Sequence, residues 1–305
     1  LTTAPETDIR VGFSARALCP ATLPLPEKPA DLGKRNLVAF LLHSGILKAT
    51  WLQKETISVK TILKQFRVLL FFSLLVMLPS LPARAEIVAA AASLQPAMQK
   101  AIPQFNREHG ADLQGVYGAS GNLARQIENG APFGLFLSAD EKWARYVREK
   151  GFLDCDPLPF VKMPLVLWRM GSEAPSIELL GSEGLKIAIA NPETAPFGRM
   201  AKEYLQEKGF FDKIEKSGRL ILGGDVLKTA LAAQSGGADL AVIPLSVALR
   251  LEGGRWTELD TPPQVLFGGL VKGKRTVQLE AFWTFLRSPE AEPVMKEFGF
   301  IPVDR

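Results

Sequence analysis

The 305-residue chain is poor in the residues that build covalent or metallic scaffolds: it has two cysteines, Cys19 and Cys155, and two histidines, His43 and His109. That excludes a disulfide framework and a Cys/His zinc site. It also lacks an apolar run long enough to span about 30 Å of hydrocarbon, for which roughly 20 residues are needed. The longest such run, VLLFFSLLVML at 68–78, has eleven residues, one of them serine. P-loop, dinucleotide and HExxH signatures are missing. Gly118-Ala119-Ser120-Gly121-Asn122 resembles a nucleophile elbow, but Asn122 stands where that motif needs glycine. Asp140 and Glu141 are adjacent and cannot face one another as an acid/base pair, and His109, at a helix end beside Gly110, reads as a solvated cation. The sequence therefore does not read as an enzyme.

What is present is a core-forming composition, 47% hydrophobic and 22% charged, with a net charge of +4 that is unevenly spread. Residues 1–85 carry 11 basic and 5 acidic side chains; residues 86–305 carry 25 and 27. The basicity belongs to the leading segment, so the remainder lacks the footprint of a nucleic-acid binder.

That leading segment has a recognisable layout. Lys60, Lys64 and Arg67 precede the apolar run, and Pro79, Pro82 and Ala83-Arg84-Ala85 follow it. A basic stretch, a short apolar core and a small-x-small site predict a signal peptide over 59–85, cleaved before Glu86 and directing export. Residues 1–58 are Pro-rich, without periodicity, and open on Leu1; they are expected to be a non-native or disordered extension, with translation starting near Val59 or Lys60. With the leader removed, Cys155 is expected to be a partly buried thiol in a loop.

From 86 onward, strand-like runs alternate with amphipathic stretches. IVAAAA (87–92) leads to a helix with Leu94, Ala97, Met98, Ala101, Ile102 and Phe105 on one face. Pro96 falls in its first turn, Pro103 is expected to kink it and Gly110 to end it. Further strands are expected near 112–118 and at 135–139, 165–168, 186–190, 220–224, 238–244 and 264–273. Helices are expected at 122–128, 141–150 (capped by Asp140), 199–208, 226–234, 246–250, 276–287 and 289–298. The helix at 276–287 is expected to bury Val277, Leu279, Phe282, Phe285 and Leu286. This alternation predicts an α/β fold with largely parallel sheets.

Four times a strand ends in small or turn-forming residues and a helix begins at once: at Ala92-Ser93-Leu94, Ala119-Ser120-Gly121-Asn122, Pro196-Phe197-Gly198 and Gly223-Gly224-Asp225-Val226. Ligands of α/β sheets bind outside the carboxyl ends of the strands. Each helix start presents unsatisfied N–H groups and about half a positive charge, so four together would balance a dianion without any Lys or Arg. Ser93 and Ser120 add hydroxyl donors. A serine at a helix start is most often a plain N-cap with no ligand, and Asp225 also reads as a cap, whose carboxylate would repel an anion.

The stretches AAAASLQPAMQKAIPQF (89–105), YGASGNLARQIENGAPFGLFLSADEKW (117–143), ANPETAPFGRMAKEYLQEKG (190–209) and GGDVLKTALAAQ (223–234) resemble the periplasmic molybdate-binding proteins of ABC importers. The likeness covers essentially all of 86–303. It implies a two-lobed periplasmic binding protein with a cleft between α/β lobes, one from 86–163 plus 260–305 and the other from 164–259. It implies capture of a tetrahedral oxyanion, molybdate or tungstate, by Ser93 and Ser120 (hydroxyl and N–H) and by the backbone N–H groups of Phe197 and Val226. Molybdenum enters only as its oxyanion; no cofactor and no catalytic residue are implied. The implied partners are an inner-membrane permease and its ATPase, with the binding protein a periplasmic monomer. In well-known members a tyrosine hydroxyl completes the site; here the matching strand end is Ile243-Pro244-Leu245, and Pro244 has no donor, leaving Ser246 or a water to replace it. Another small anion, such as sulfate or an organic acid, is the second reading, and an exported enzyme a distant third.

Overall fold

Two mixed sheets are built from residues that alternate between short, small-residue strands and amphipathic helices. The computed structural model describes residues 85–303, together with Lys64 and Arg67. The signal-peptide and extension expectations lie outside the described residues.

In chain order the elements of the first sheet's half are β1 (Glu86–Ala91), a single 3-10 turn (Ala92–Leu94), α1 (Gln95–His109), β2 (Leu113–Gly118), α2 (Ser120–Glu128), β3 (Phe133–Ser138), α3 (Glu141–Glu149) and β4 (Leu158–Met163). The chain then runs through β5 (Leu165–Met170), β6 (Ile187–Ala190), α4 (Pro196–Glu207), α5 (Phe211–Lys216), β7 (Leu220–Gly223), α6 (Val226–Gln234), β8 (Leu240–Pro244), α7 (Leu245–Ala248) and β9 (Gly254–Glu258). It returns as β10 (Gln264–Leu270), α8 (Val277–Leu286), α9 (Glu292–Glu297) and β11 (Ile301–Pro302). The six-stranded sheet has the order β11-β4-β10-β3-β1-β2 and the five-stranded sheet β7-β6-β8-β5-β9.

The sheets are mixed, which corrects the largely parallel expectation. β1 runs parallel to β2 and β3, and β6 parallel to β7 and β8. β4, β10 and β11 pair antiparallel in the first sheet, as do β5 with β8 and β9 in the second. The antiparallel strands include those in which the chain passes from one sheet to the other and back, and they enter against the direction of their neighbours.

The helices cover the apolar sheet faces. α1 buries Ala97, Met98, Ala101, Ile102 and Phe105, keeps Pro103 within it, and ends at Gly110 with φ +62°. In α8, Leu279, Phe282, Phe285 and Leu286 are buried as expected, but Val277 is 70% exposed, because Thr276 caps the helix and Val277 occupies its first, solvent-facing position. Cys155 is disulfide-bonded, which corrects the expectation of a free thiol. Among the described residues no helix is long and apolar enough to cross a membrane, and no three His, Cys, Asp or Glu cluster as metal ligands.

Candidate anion-binding site

The parallel strands β1, β2, β6 and β7 are each followed closely by a helix start: the 3-10 turn at Ala92, α2 at Ser120, α4 at Pro196 after a five-residue turn, and α6 at Val226. A Cβ on Gly198 would fall well inside contact distance of the Ala190 carbonyl, and one on Gly223 would do the same to Thr229 Oγ1. These glycines hold the first turns of α4 and α6 tight against the ends of β6 and β7.

Hydrogen bonding leaves one or two N–H groups open at each start. In α2, the N–H of Gly121 donates to the Thr194 carbonyl (2.8 Å), and those of Asn122 and Leu123 to Ala119. The Ser120 N–H is left over. In α4, Pro196 has no N–H and Arg199 N–H donates to Ala195, which leaves Phe197 and Gly198. In α6, Asp225 is the cap: its Oδ1 accepts from Leu227 and Lys228, both at 3.0 Å, and the Thr229 N–H is bonded to its carbonyl, which leaves Val226. The Asp225 carboxylate thus turns into its own helix, with Lys228 Nζ 3.6 Å away. No side chain caps α2 or α4.

The structure places Ser93, Ser120, Phe197 and Val226 around one hollow, whose remaining wall is Ala91, Ala92, Gly118, Ala119, Ala139, Ala195, Pro196 and Asp225. Two of the four come from the first sheet's strand ends and two from the second's. The hollow measures about 10 Å³, roughly the room one water requires. Ser93 and Ser120 are both buried. Ser93 Oγ has no hydrogen-bond partner. Ser120 Oγ accepts from the Ala139 N–H at 3.0 Å, so its own proton remains available. The arrangement offers two hydroxyls and several amide protons in a pocket walled mostly by alanine, glycine and proline, with the Asp225 Oδ1 in its wall engaged by its own helix. That is chemistry for holding an acceptor-only anion.

Ser246 does not stand in for the tyrosine. Its hydroxyl donates to the Ser93 carbonyl at 2.7 Å, and its N–H faces Met163 Sδ at 3.4 Å. With its single proton committed, it steadies the turn that carries Ser93. Pro244 caps α7, pairs with Leu165, and is not part of the hollow's wall. Tyr117, just before the Gly118 wall, is pushed up to about 12 by burial and stays neutral.

Sequence reasoning missed one feature beside the hollow. Asp140, expected only as a cap, does accept from the Trp143 N–H at 3.0 Å, but its other oxygen pairs with Arg199. The two are 59 residues apart in the chain; no local signal joins them.

Comparison with known proteins shows the family and the fold. A family model described as bacterial extracellular solute-binding protein matches residues 87–301. The molybdate-binding protein ModA of Escherichia coli is 32% identical over 228 residues, covering 70% of this chain and 87% of the relative. Among solved structures, the Azotobacter vinelandii periplasmic molybdate-binding protein superposes with a TM-score of 0.67 at 24% identity, covering 72% of this chain and 100% of that one. The substrate binding domain of a putative molybdenum ABC transporter from Clostridium difficile gives 0.56 at 30% identity, covering 72% and 99%.

Proposed function

Because the chain belongs to the bacterial extracellular solute-binding proteins, we propose that it is the substrate-binding subunit of a molybdate importer, taking molybdate or tungstate into the hollow between its two sheets. The observation that carries the reading is the Ser93 hydroxyl, buried and unpartnered in a hollow it shares with Ser120 and the open N–H groups of Phe197 and Val226. A buried donor without an acceptor costs about 1–3 kcal/mol, and an oxyanion supplies the acceptor.

The residues act by passive capture. Each oxygen of a fully deprotonated oxyanion accepts from a hydroxyl or amide proton, and the helix starts balance its charge without a basic side chain. A protonated phosphate would need an acceptor the set does not offer. Selection against sulfate, another acceptor-only dianion, rests on size. No bond to the anion is made or broken, so the protein is not an enzyme. The sheets with their helices serve as the two lobes, 86–163 plus 260–305 and 164–259. The protein works in the periplasm as a monomer, exported by its cleaved leader, and hands its cargo to a permease with its ATPase.

A second reading, a smaller anion such as sulfate, is favoured by the small hollow. Calorimetric titration with molybdate, tungstate, sulfate and phosphate separates the two. Saturable heat with molybdate and tungstate, and little with sulfate, is the expected outcome; tighter sulfate binding selects the second reading. Ser93→Ala combined with Ser120→Ala should weaken molybdate affinity more than either change alone. An unchanged affinity in the double variant refutes this site.

A further inference from the structure

The hollow is bordered by an ion pair that the anion's donors do not use. Asp140 follows β3 of the first sheet; Arg199 stands in the first turn of α4, which packs on the second. Their pairing therefore bridges the two sheets. Asp140 is held on its own side: Oδ1 accepts from Trp143 N–H at 3.0 Å and from Ser138 Oγ at 3.2 Å. Its side chain is 4% exposed and that of Arg199 27%. Next to the pair, the Gly121 N–H donates across to the Thr194 carbonyl at 2.8 Å. The contact there is close: a Cβ on Gly121 would meet the Trp143 ring at 2.5 Å and Thr194 Cα at 3.1 Å.

Both partners are one or two residues from the anion's donors. Ala139, beside Asp140, donates to Ser120 Oγ. Phe197, two residues before Arg199, presents its N–H to the hollow. A carboxylate left bare here would repel a dianion; Arg199 cancels it only when the two sheets meet. An interaction made in one conformation alone biases the equilibrium toward that conformation.

We infer that the Asp140–Arg199 pair is a positioning latch: it holds the two sheets together over the hollow and sets how long the anion stays. The inference takes its ligand from the oxyanion reading above. Stopped-flow tryptophan emission on the full chain, with molybdate, measures the release rate. Truncating one partner of a partly buried ion pair acts mainly on dissociation, so Arg199→Ala is expected to speed release about tenfold or more, with association changed far less. Arg199→Lys, which keeps the charge, should recover most of the loss. In an Asp140→Asn background, which keeps the α3 cap, Arg199→Ala should change release less than twofold. Release within twofold of wild type in Arg199→Ala, or an undiminished effect in the Asn background, overturns the latch. If wild type binds no molybdate, the oxyanion reading fails separately, and hydrogen exchange of the Gly121 amide decides the latch. Faster exchange in unliganded Arg199→Ala supports it; equal exchange overturns it.

Discussion

Two serines that look alike in the sequence differ in what their hydroxyls do. Ser120 Oγ already accepts from Ala139 N–H, so the unliganded protein depends on it. Ser93 Oγ is buried with nothing to bond. Removing a partnered group strands its donor and costs about 1–3 kcal/mol; removing an unsatisfied one is neutral or stabilising. Ser120→Ala should therefore lower the melting temperature of the unliganded protein, whereas Ser93→Ala should leave it unchanged or raise it. Both should weaken oxyanion affinity. Thermal melts with and without molybdate check the contrast: a Ser93→Ala variant that is destabilised without ligand would mean its hydroxyl has a structural partner, and the argument for it as a ligand donor would lapse. The opposed signs are what a group kept for binding at some expense of stability produces.

At the scale of elements, the helix starts depend on backbone contact that only glycine allows. In α4 a methyl group on Gly198 would press into the backbone at Ala190. Backbone cannot rotate away as a side chain can, so α4 must shift and carry the Phe197 N–H with it. Gly198→Ala should cost about 1–3 kcal/mol of stability and weaken molybdate binding, read by denaturant unfolding and by calorimetry; a variant as stable and as tight-binding as wild type refutes the tight junction. The sequence signals for such elements were uneven. The helix at Val226–Gln234 was legible to its ends, because Asp225 is a strong cap and the residues after it keep helical spacing. β4 escaped because its LPFVKM reads as a Pro-containing linker with an exposed start. β9 (GRWTE) and α5 (FDKIEK) escaped because they are short and carry many polar residues. The serines and open helix starts could be read locally, but their convergence depends on two sheets facing each other. The Asp140–Arg199 pair lies wholly in that long-range packing.

For the whole molecule, what matters is that among the described residues the chain crosses between the sheets twice, at Pro164 between β4 and β5 and over 259–263 between β9 and β10. The crossings are pinned by backbone bonds, Leu245 N–H to Pro164 (3.0 Å) and Leu259 N–H to Leu165 (2.9 Å). In the two-lobed reading proposed above, these two adjacent crossings would serve as the hinge. Because the donors belong to both sheets, a bound anion ties the bodies together, and its binding energy adds to the stability of each. At a hundred times its dissociation constant, molybdate should stabilise the protein by about 2.7 kcal/mol. Hydrogen-exchange protection should rise together at Ser93 and Ser120 on one side and at Phe197 and Val226 on the other. Since no donor in the set titrates, the gain should be level between about pH 6 and 9, where hydroxyl and amide protons stay in place. Protection confined to one sheet would show that the anion touches a single lobe and that the shared hollow is not where it binds.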